Sequence, residues 1–210
     1  QGYQVIAPEL PIYNSSLLNT NVKFFAKFVY KFIKFKNLKD VIILGNSLGG
    51  HVGLIFSKLY PKLIKGLVLT GSSGLYENSM GDSYPKREDY NYIKERTEAV
   101  FFDPKIATKK IVDEVYETVN DRKKLIKILA MAKSAIRHNM SNDLPNILAE
   151  TAIIWGENDS VPPPEVADEF KKLLPNSQLF WIENCGHAPM MEHPEKFNSV
   201  MNSWLKEKKL

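Results

Sequence analysis

Residues 41–50 read Val41-Ile42-Ile43-Leu44-Gly45-Asn46-Ser47-Leu48-Gly49-Gly50. The first four are aliphatic with no polar break. That pattern predicts a strand buried on both faces, as strands of parallel sheets are. The apolar periodicity resumes at Leu48, with Pro61 beyond its end, and predicts a helix over 48–59. Between them Gly45-Asn46-Ser47-Leu48-Gly49 is a G-x-S-x-G in a strand–turn–helix setting. A serine there sits on a sharp, strained turn. Its neighbours two residues away, Gly45 and Gly49, are expected to need almost no side chain, and Gly50 to allow close packing of helix on strand. The helix aims its first N–H groups at the turn. The Leu48 N–H is thereby placed to stabilise an oxyanion.

Outward from this unit, short apolar runs alternate with helical patterns. Val5-Ile6-Ala7, Leu67-Val68-Leu69-Thr70, Thr151-Ala152-Ile153-Ile154-Trp155 and Gln178-Leu179-Phe180-Trp181-Ile182 read as further strands. Helices are predicted over 18–36, 165–174 and 194–206. This alternation implies an α/β fold, a mostly parallel sheet with helices on both faces. Residues 75–142 break the pattern. They show helical periodicity only (Ile106, Ile111, Val115 and Val119; Leu125, Ile126, Leu129 and Ile136), punctuated by Pro85 and Pro104. A helical insertion on the sheet is expected there.

A serine hydroxyl needs a base to take its proton. The chain has 4 histidines. His51 lies on the helix after Ser47, His138 beside Arg137 in the insertion, and His193 before Pro194. His187 lies in Asn184-Cys185-Gly186-His187-Ala188-Pro189, after the last strand, at the C-terminal sheet edge where such sites form. His187 is the expected base. Its imidazole needs a carboxylate to fix its tautomer. Gly156-Glu157-Asn158-Asp159 follows the preceding strand and offers two. Asp159, backed by the stiff Val161-Pro162-Pro163, is favoured over Glu157. Gly71-Ser72-Ser73-Gly74 offers no acid before Glu77. The order Ser47, Asp159, His187 is serine, acid, histidine.

Charge and composition exclude several alternatives. The 210 residues carry 28 basic and 24 acidic side chains, net +4, too little to imply nucleic acid. The balance is +7 over residues 1–74, zero over 75–150 and −3 over 151–210. Lys23, Lys27, Lys31 and Lys34 share one helical face, with Lys36 and Lys39 beyond them. Phe24, Phe28, Phe32 and Phe35 follow the same steps and are expected to face the core. That helix is read as amphipathic with a lysine-covered solvent side, so no membrane partner is expected, with a surface for anionic membrane or nucleic acid as the lesser alternative. A single cysteine excludes an internal disulfide framework and a cysteine zinc site, and Cys185 is expected to be a packing residue. Gln1-Gly2-Tyr3-Gln4 lacks the basic and apolar regions of a secretory signal, so a cytoplasmic location is expected.

Taken together these motifs resemble the α/β-hydrolase fold family over essentially the whole chain. Gly2-Tyr3-Gln4-Val5-Ile6-Ala7-Pro8 is similar to the family's fourth strand and the loop leaving it. Asn46-Ser47-Leu48-Gly49-Gly50-His51 is similar to its nucleophile elbow, and Trp155-Gly156-Glu157-Asn158-Asp159 to its acid loop. Gly186-His187-Ala188-Pro189-Met190-Met191-Glu192-His193-Pro194-Glu195 is similar to its histidine loop and final helix. The resemblance implies a hydrolase core from residues 1–74 and 143–210, with 75–142 as the helical cap that selects substrate. It implies a carboxylic ester hydrolase acting on a small molecule through Ser47, Asp159 and His187. Leu48 N–H would serve in the oxyanion hole, and Asn46, Val161 and Ala188 would line the substrate site. No metal or organic cofactor is implied. The oligomeric state stays open, a homodimer included.

Gly45-Asn46-Ser47 and Thr70-Gly71-Ser72-Ser73-Gly74-Leu75 also resemble C–C bond hydrolases of aromatic ring-cleavage products. Those enzymes usually carry Trp after the catalytic histidine, where this chain has Ala188. A binding or signalling protein on the same fold is the third reading. The resemblance makes Val5-Ile6-Ala7 the fourth strand of a sheet ordered 1-2-4-3-5-6-7-8. The third strand would then lie between it and residues 41–44, and the stretch before it would carry the second oxyanion donor. The expectation is a C-terminal portion of a longer chain. Intact mass near 24.0 kDa for active protein would contradict it.

Overall fold

The structure is a computed structural model that describes residues 2–76 and 86–210. Four strands form one sheet: β1 (Val41–Asn46), β2 (Ile64–Thr70), β3 (Glu150–Gly156) and β4 (Ser177–Ile182). Their order is β1-β2-β3-β4, and every neighbouring pair is parallel. The helices are α1 (Val22–Phe35), α2 (Leu48–Leu59), α3 (Tyr90–Glu98), α4 (Lys109–Asn120), α5 (Arg122–Arg137), α6 (Glu165–Leu173), α7 (Pro189–Glu192) and α8 (Pro194–Glu207). Most expected boundaries hold to within a few residues. The helix expected from residue 18 starts at Val22, because Asn21 caps it, its side chain accepting the Phe24 N–H.

Both faces of the sheet are covered, and the strands show it by alternation. Leu67, Leu69, Ile153 and Trp155 join a core with Phe25 of α1, Phe56 of α2 and Phe170 of α6. Val68, Ala152 and Ile154 point the other way, to Phe197, Trp204 and Leu205 of α8. Within α1 the lysines 23, 27, 31 and 34 are exposed, as expected. The phenylalanine row is not the core face, however. Val22, Phe25, Ala26 and Ile33 are buried, while Phe35 is 78% exposed. The helix is rolled by about one residue, roughly 100°, from the face that the Phe spacing suggested.

Two expectations fail at the sheet's first edge. Val5-Ile6-Ala7 is not a strand, and Val5 is 88% exposed. β1 is not buried on both faces either, and its Leu44 is 46% exposed. The cause is shared. β1 pairs only with β2, so its other edge is open. Residues 2–8 line the far side of a groove of about 1030 Å³ whose near side is β1. A strand exists only through ladder hydrogen bonds to a neighbour, and across this groove the two segments make none. Between β2 and β3 the described residues are helical, in α3, α4 and α5, as the periodicity suggested. Pro85, a punctuation point in that reading, and Glu77 lie outside the described residues. Among the described residues no helix is long and apolar enough to cross a membrane.

Candidate active site

Ser47 ends β1 and begins α2 with φ 50° and ψ −118°, a backbone state that side-chain-bearing residues rarely hold. Such a state costs on the order of 1–3 kcal/mol and persists only when its surroundings over-determine it. Here they do. The Ser47 N–H donates to the Thr70 carbonyl at 3.0 Å. The Ser47 carbonyl accepts from the His51 and Ser73 N–H groups, each at 3.2 Å. A Cβ on Gly45 would lie 2.3 Å from the Gly49 carbonyl carbon, so Gly45 must be bare. A Cβ on Gly50 would lie 2.3 Å from Ser72 Oγ. Gly49 differs from the expectation: a Cβ there meets nothing within 4 Å, because it faces the open groove. Leu48 is the first residue of α2, where backbone N–H groups lack intrahelical acceptors.

His187 and Asp159 come together. His187 Nδ1 is 2.9 Å from Asp159 Oδ2 and 3.2 Å from Oδ1. Both residues are buried. A carboxylate only accepts, so Nδ1 carries the proton and Nε2 is the nitrogen left to accept one. The Asp159 carboxylate is held in turn by the Val161 N–H at 2.7 Å. Glu157, its rival, is exposed. The two loops meet backbone to backbone: the Asn158 N–H donates to the Cys185 carbonyl, and a Cβ on Gly156 would lie 2.2 Å from the Gly186 carbonyl oxygen.

The serine turn and the histidine loop are joined through Asn46. Its side-chain amide donates to the Thr70 carbonyl at 3.1 Å and to the His187 carbonyl at 3.0 Å. Asn46 and Val161, expected as substrate contacts, are thus holding the His187 backbone and the Asp159 carboxylate. Ala188 is buried beside His187 and caps α7. Among the described residues no hydrogen bond joins Ser47 Oγ to the His187 ring. Gly71, with φ +47°, lies under the imidazole: a Cβ there would sit 2.6 Å from Nδ1. Sequence reasoning missed that contact. It also missed Glu192, whose Oε1 accepts the Gly186 N–H and whose Oε2 accepts the Phe102 N–H, both at 2.7 Å. The His187 N–H donates to the Val100 carbonyl, so residues 100–102 are clasped by the histidine loop. A carboxylate five residues after the histidine, on a short helix, was the only available signal for Glu192.

The other histidines are engaged elsewhere. His51 Nε2 is 2.9 Å from the His138 carbonyl, and burial pushes its pKa down to about 4. His193 Nε2 is 2.9 Å from the Asn184 carbonyl. Cys185 is buried, and burial, then the nearby Glu192 carboxylate, push its thiol up to about 12. A thiol in that state is inert, consistent with packing. Among the described residues no cluster of His, Cys, Asp and Glu has the makings of a metal site.

Comparison with known proteins follows the same lines. The model of the alpha/beta hydrolase fold family matches residues 1–194. Lipase 1 of Psychrobacter immobilis is 24% identical, covering 91% of this chain and 65% of its own length. The 2-hydroxy-6-oxo-6-(2'-aminophenyl)hexa-2,4-dienoic acid hydrolase of Metapseudomonas resinovorans is 30% identical, covering 84% of this chain and 64% of its own. The chain therefore spans less than two thirds of the length of either relative. A crystal structure of an alpha/beta hydrolase enzyme from a lagoon-sediment metagenome is 50% identical, with a TM-score of 0.78 over 97% of this chain and 78% of that one. A parallel sheet, a strained serine turn after its first strand and a family match over nearly the whole length lead to one assignment: this chain belongs to the alpha/beta hydrolase fold family.

Proposed function

We propose that the protein is a serine hydrolase that cleaves a carboxylic ester of a small molecule through an acyl-enzyme. The observation that carries this reading is the buried His187–Asp159 pair, held by Asn46 to the turn that strains Ser47. His187 Nε2 takes the Ser47 proton as Oγ attacks the acyl carbon. The Leu48 N–H stabilises the oxyanion, together with the dipole of α2. His187 then protonates the leaving alcohol and activates water for deacylation, while Asp159 stabilises the imidazolium. In this reading the helices α3–α5 belong to a cap spanning residues 75–142, and the clasp of residues 100–102 on the histidine loop couples that cap to the base.

A second reading has one specific support. The relative that is 30% identical is named as the hydrolase of a 2-hydroxy-6-oxo-hexa-2,4-dienoic acid, which supports the C–C hydrolase alternative. Against it stands Ala188 after the histidine. Rates on a short-chain p-nitrophenyl ester and on a dienoate ring-fission product separate the two. The ester reading expects turnover of the ester that a Ser47→Ala variant abolishes. A preference of orders of magnitude for the dienoate would move the assignment to C–C hydrolysis. Turnover of neither substrate would favour the non-catalytic reading.

A further inference from the structure

Helix α5 reads RKKLIKILAMAKSAIR and contains six basic residues and no acidic one. Its buried side is made by Met131, Ala132, Ser134 and Ala135. The outward side carries Arg122, Ile126, Leu129, Lys133 and Ile136, at steps of 4, 3, 4 and 3, which is one continuous helical stripe. The three aliphatic members are exposed: Ile126 by 44%, Leu129 by 39% and Ile136 by 54%. Two of the basic residues turn inward. Lys124 Nζ lies 5.5 Å over the Tyr13 ring, and Lys127 donates to the Ser15 carbonyl. The other four, Arg122, Lys123, Lys133 and Arg137, are exposed, and among the described residues none has an ion-pair partner, although the Asp121 carboxylate that caps α5 is within electrostatic reach of Lys123.

Exposed aliphatic residues and cations without ion pairs on one face are each ordinary. Together, on a long helix without a single acid, they describe an interfacial helix. We propose that the outer face of α5 docks on the surface of an anionic phospholipid bilayer. The aliphatic stripe enters the headgroup boundary and the four cations meet lipid phosphates. Charge complementarity selects the occupant, because a neutral surface offers nothing to Arg122, Lys123, Lys133 and Arg137. This reverses the sequence expectation of no membrane partner. That expectation was drawn from α1, whose lysines line a face without exposed aliphatic residues between them. The cations of α5 are interleaved with exposed isoleucine and leucine. The proposal does not depend on the hydrolase reading, since its test reads binding alone.

The test is co-sedimentation of the chain with phosphatidylcholine vesicles and with vesicles containing phosphatidylglycerol, at roughly 0.05 M and 0.5 M salt. Binding is expected to the anionic vesicles at low salt and to weaken at high salt. Each cation facing the lipid contributes about fivefold. Reversal in Lys133→Glu/Arg137→Glu should therefore lower the partition constant by at least about 25-fold. Lys133→Ala/Arg137→Ala should give a smaller loss in the same direction, with an unchanged melting temperature to show that the fold is intact. Ile126→Asn/Ile136→Asn should weaken vesicle binding further while leaving retention on duplex DNA unaltered. Equal binding to both vesicle types, or to neither, would overturn the proposal. So would loss of binding in Lys27→Glu/Lys31→Glu on α1 with none in the α5 variants. If the isoleucine variants bind vesicles normally and DNA competes fully, the face is a general polyanion patch and the proposal fails.

Discussion

Gly71→Ala is expected to disable the site while leaving the protein folded. The alanine Cβ would lie 2.6 Å from His187 Nδ1, 2.7 Å from Cε1 and 3.0 Å from the His187 carbonyl oxygen. Ordinary contact begins near 3.4 Å, so the imidazole must retreat by about 0.8 Å. The backbone cannot carry that movement, because the Asn46 amide holds the His187 carbonyl and the Val100 carbonyl holds the His187 N–H. The ring must move instead, and a retreat along the Nδ1–Oδ2 line opens the 2.9 Å contact to Asp159 to about 3.7 Å, beyond hydrogen-bond range. Losing a hydrogen bond to a charged group costs about 1.5–3 kcal/mol, or roughly 10- to 150-fold in rate. The fold loses the same bond, and alanine at a positive φ adds about 1–2 kcal/mol; together about 2.5–5 kcal/mol, this is worth roughly 5–20 °C in melting temperature for a chain of this size. The assay is kcat/KM on a p-nitrophenyl ester beside thermal melting. A rate within about twofold of the parent, at a normal melting temperature, would refute the geometry.

Three other outcomes follow from the same contacts. His51 is neutral in the fold, with a pKa of about 4 against about 6.5 unfolded, so the unfolded chain binds more protons between those values. Stability is full above about pH 6.5 and falls by about 3 kcal/mol toward pH 4; thermal melts across that range should show it, and a His51→Gln variant should be flatter. Glu192→Ala removes the acceptor for the Gly186 and Phe102 N–H groups, and should lower the melting temperature by several degrees, about 2 kcal/mol; a shift below 1 °C would count against the clasp. Cys185 should resist thiol reagents at pH 8 until the protein is denatured, and rapid stoichiometric labelling of native protein would contradict its burial.

The serine turn was legible because its chemistry is local. An unbroken aliphatic strand, glycines around a serine and a helix behind them can be read without any partner. His187 and Asp159 were legible by a longer route, since loops at the C-terminal ends of parallel strands converge whatever the intervening chain does. Contacts set by three-dimensional approach were not legible. Gly71 looks like any glycine in Gly71-Ser72-Ser73-Gly74 until the imidazole is seen above it. Asn46 reads as a pocket residue until its amide is seen holding two carbonyls. Val5-Ile6-Ala7 failed for a different reason. β-branched composition signals readiness to pair, and pairing needs a neighbour, which the open edge of β1 does not supply across the groove. The Phe row of α1 failed because 3.6-residue geometry lets two adjoining faces share a spacing, and only packing against α2 chose between them.

The central claim is that Ser47 is the nucleophile served by His187 and Asp159. A fluorophosphonate bonds covalently to a serine only when a base has activated it. Peptide mapping of the treated protein should place one adduct on Ser47, and Ser47→Ala and His187→Ala should abolish it. Labelling that survives Ser47→Ala, or ester turnover from protein that carries no adduct on Ser47, would contradict the account.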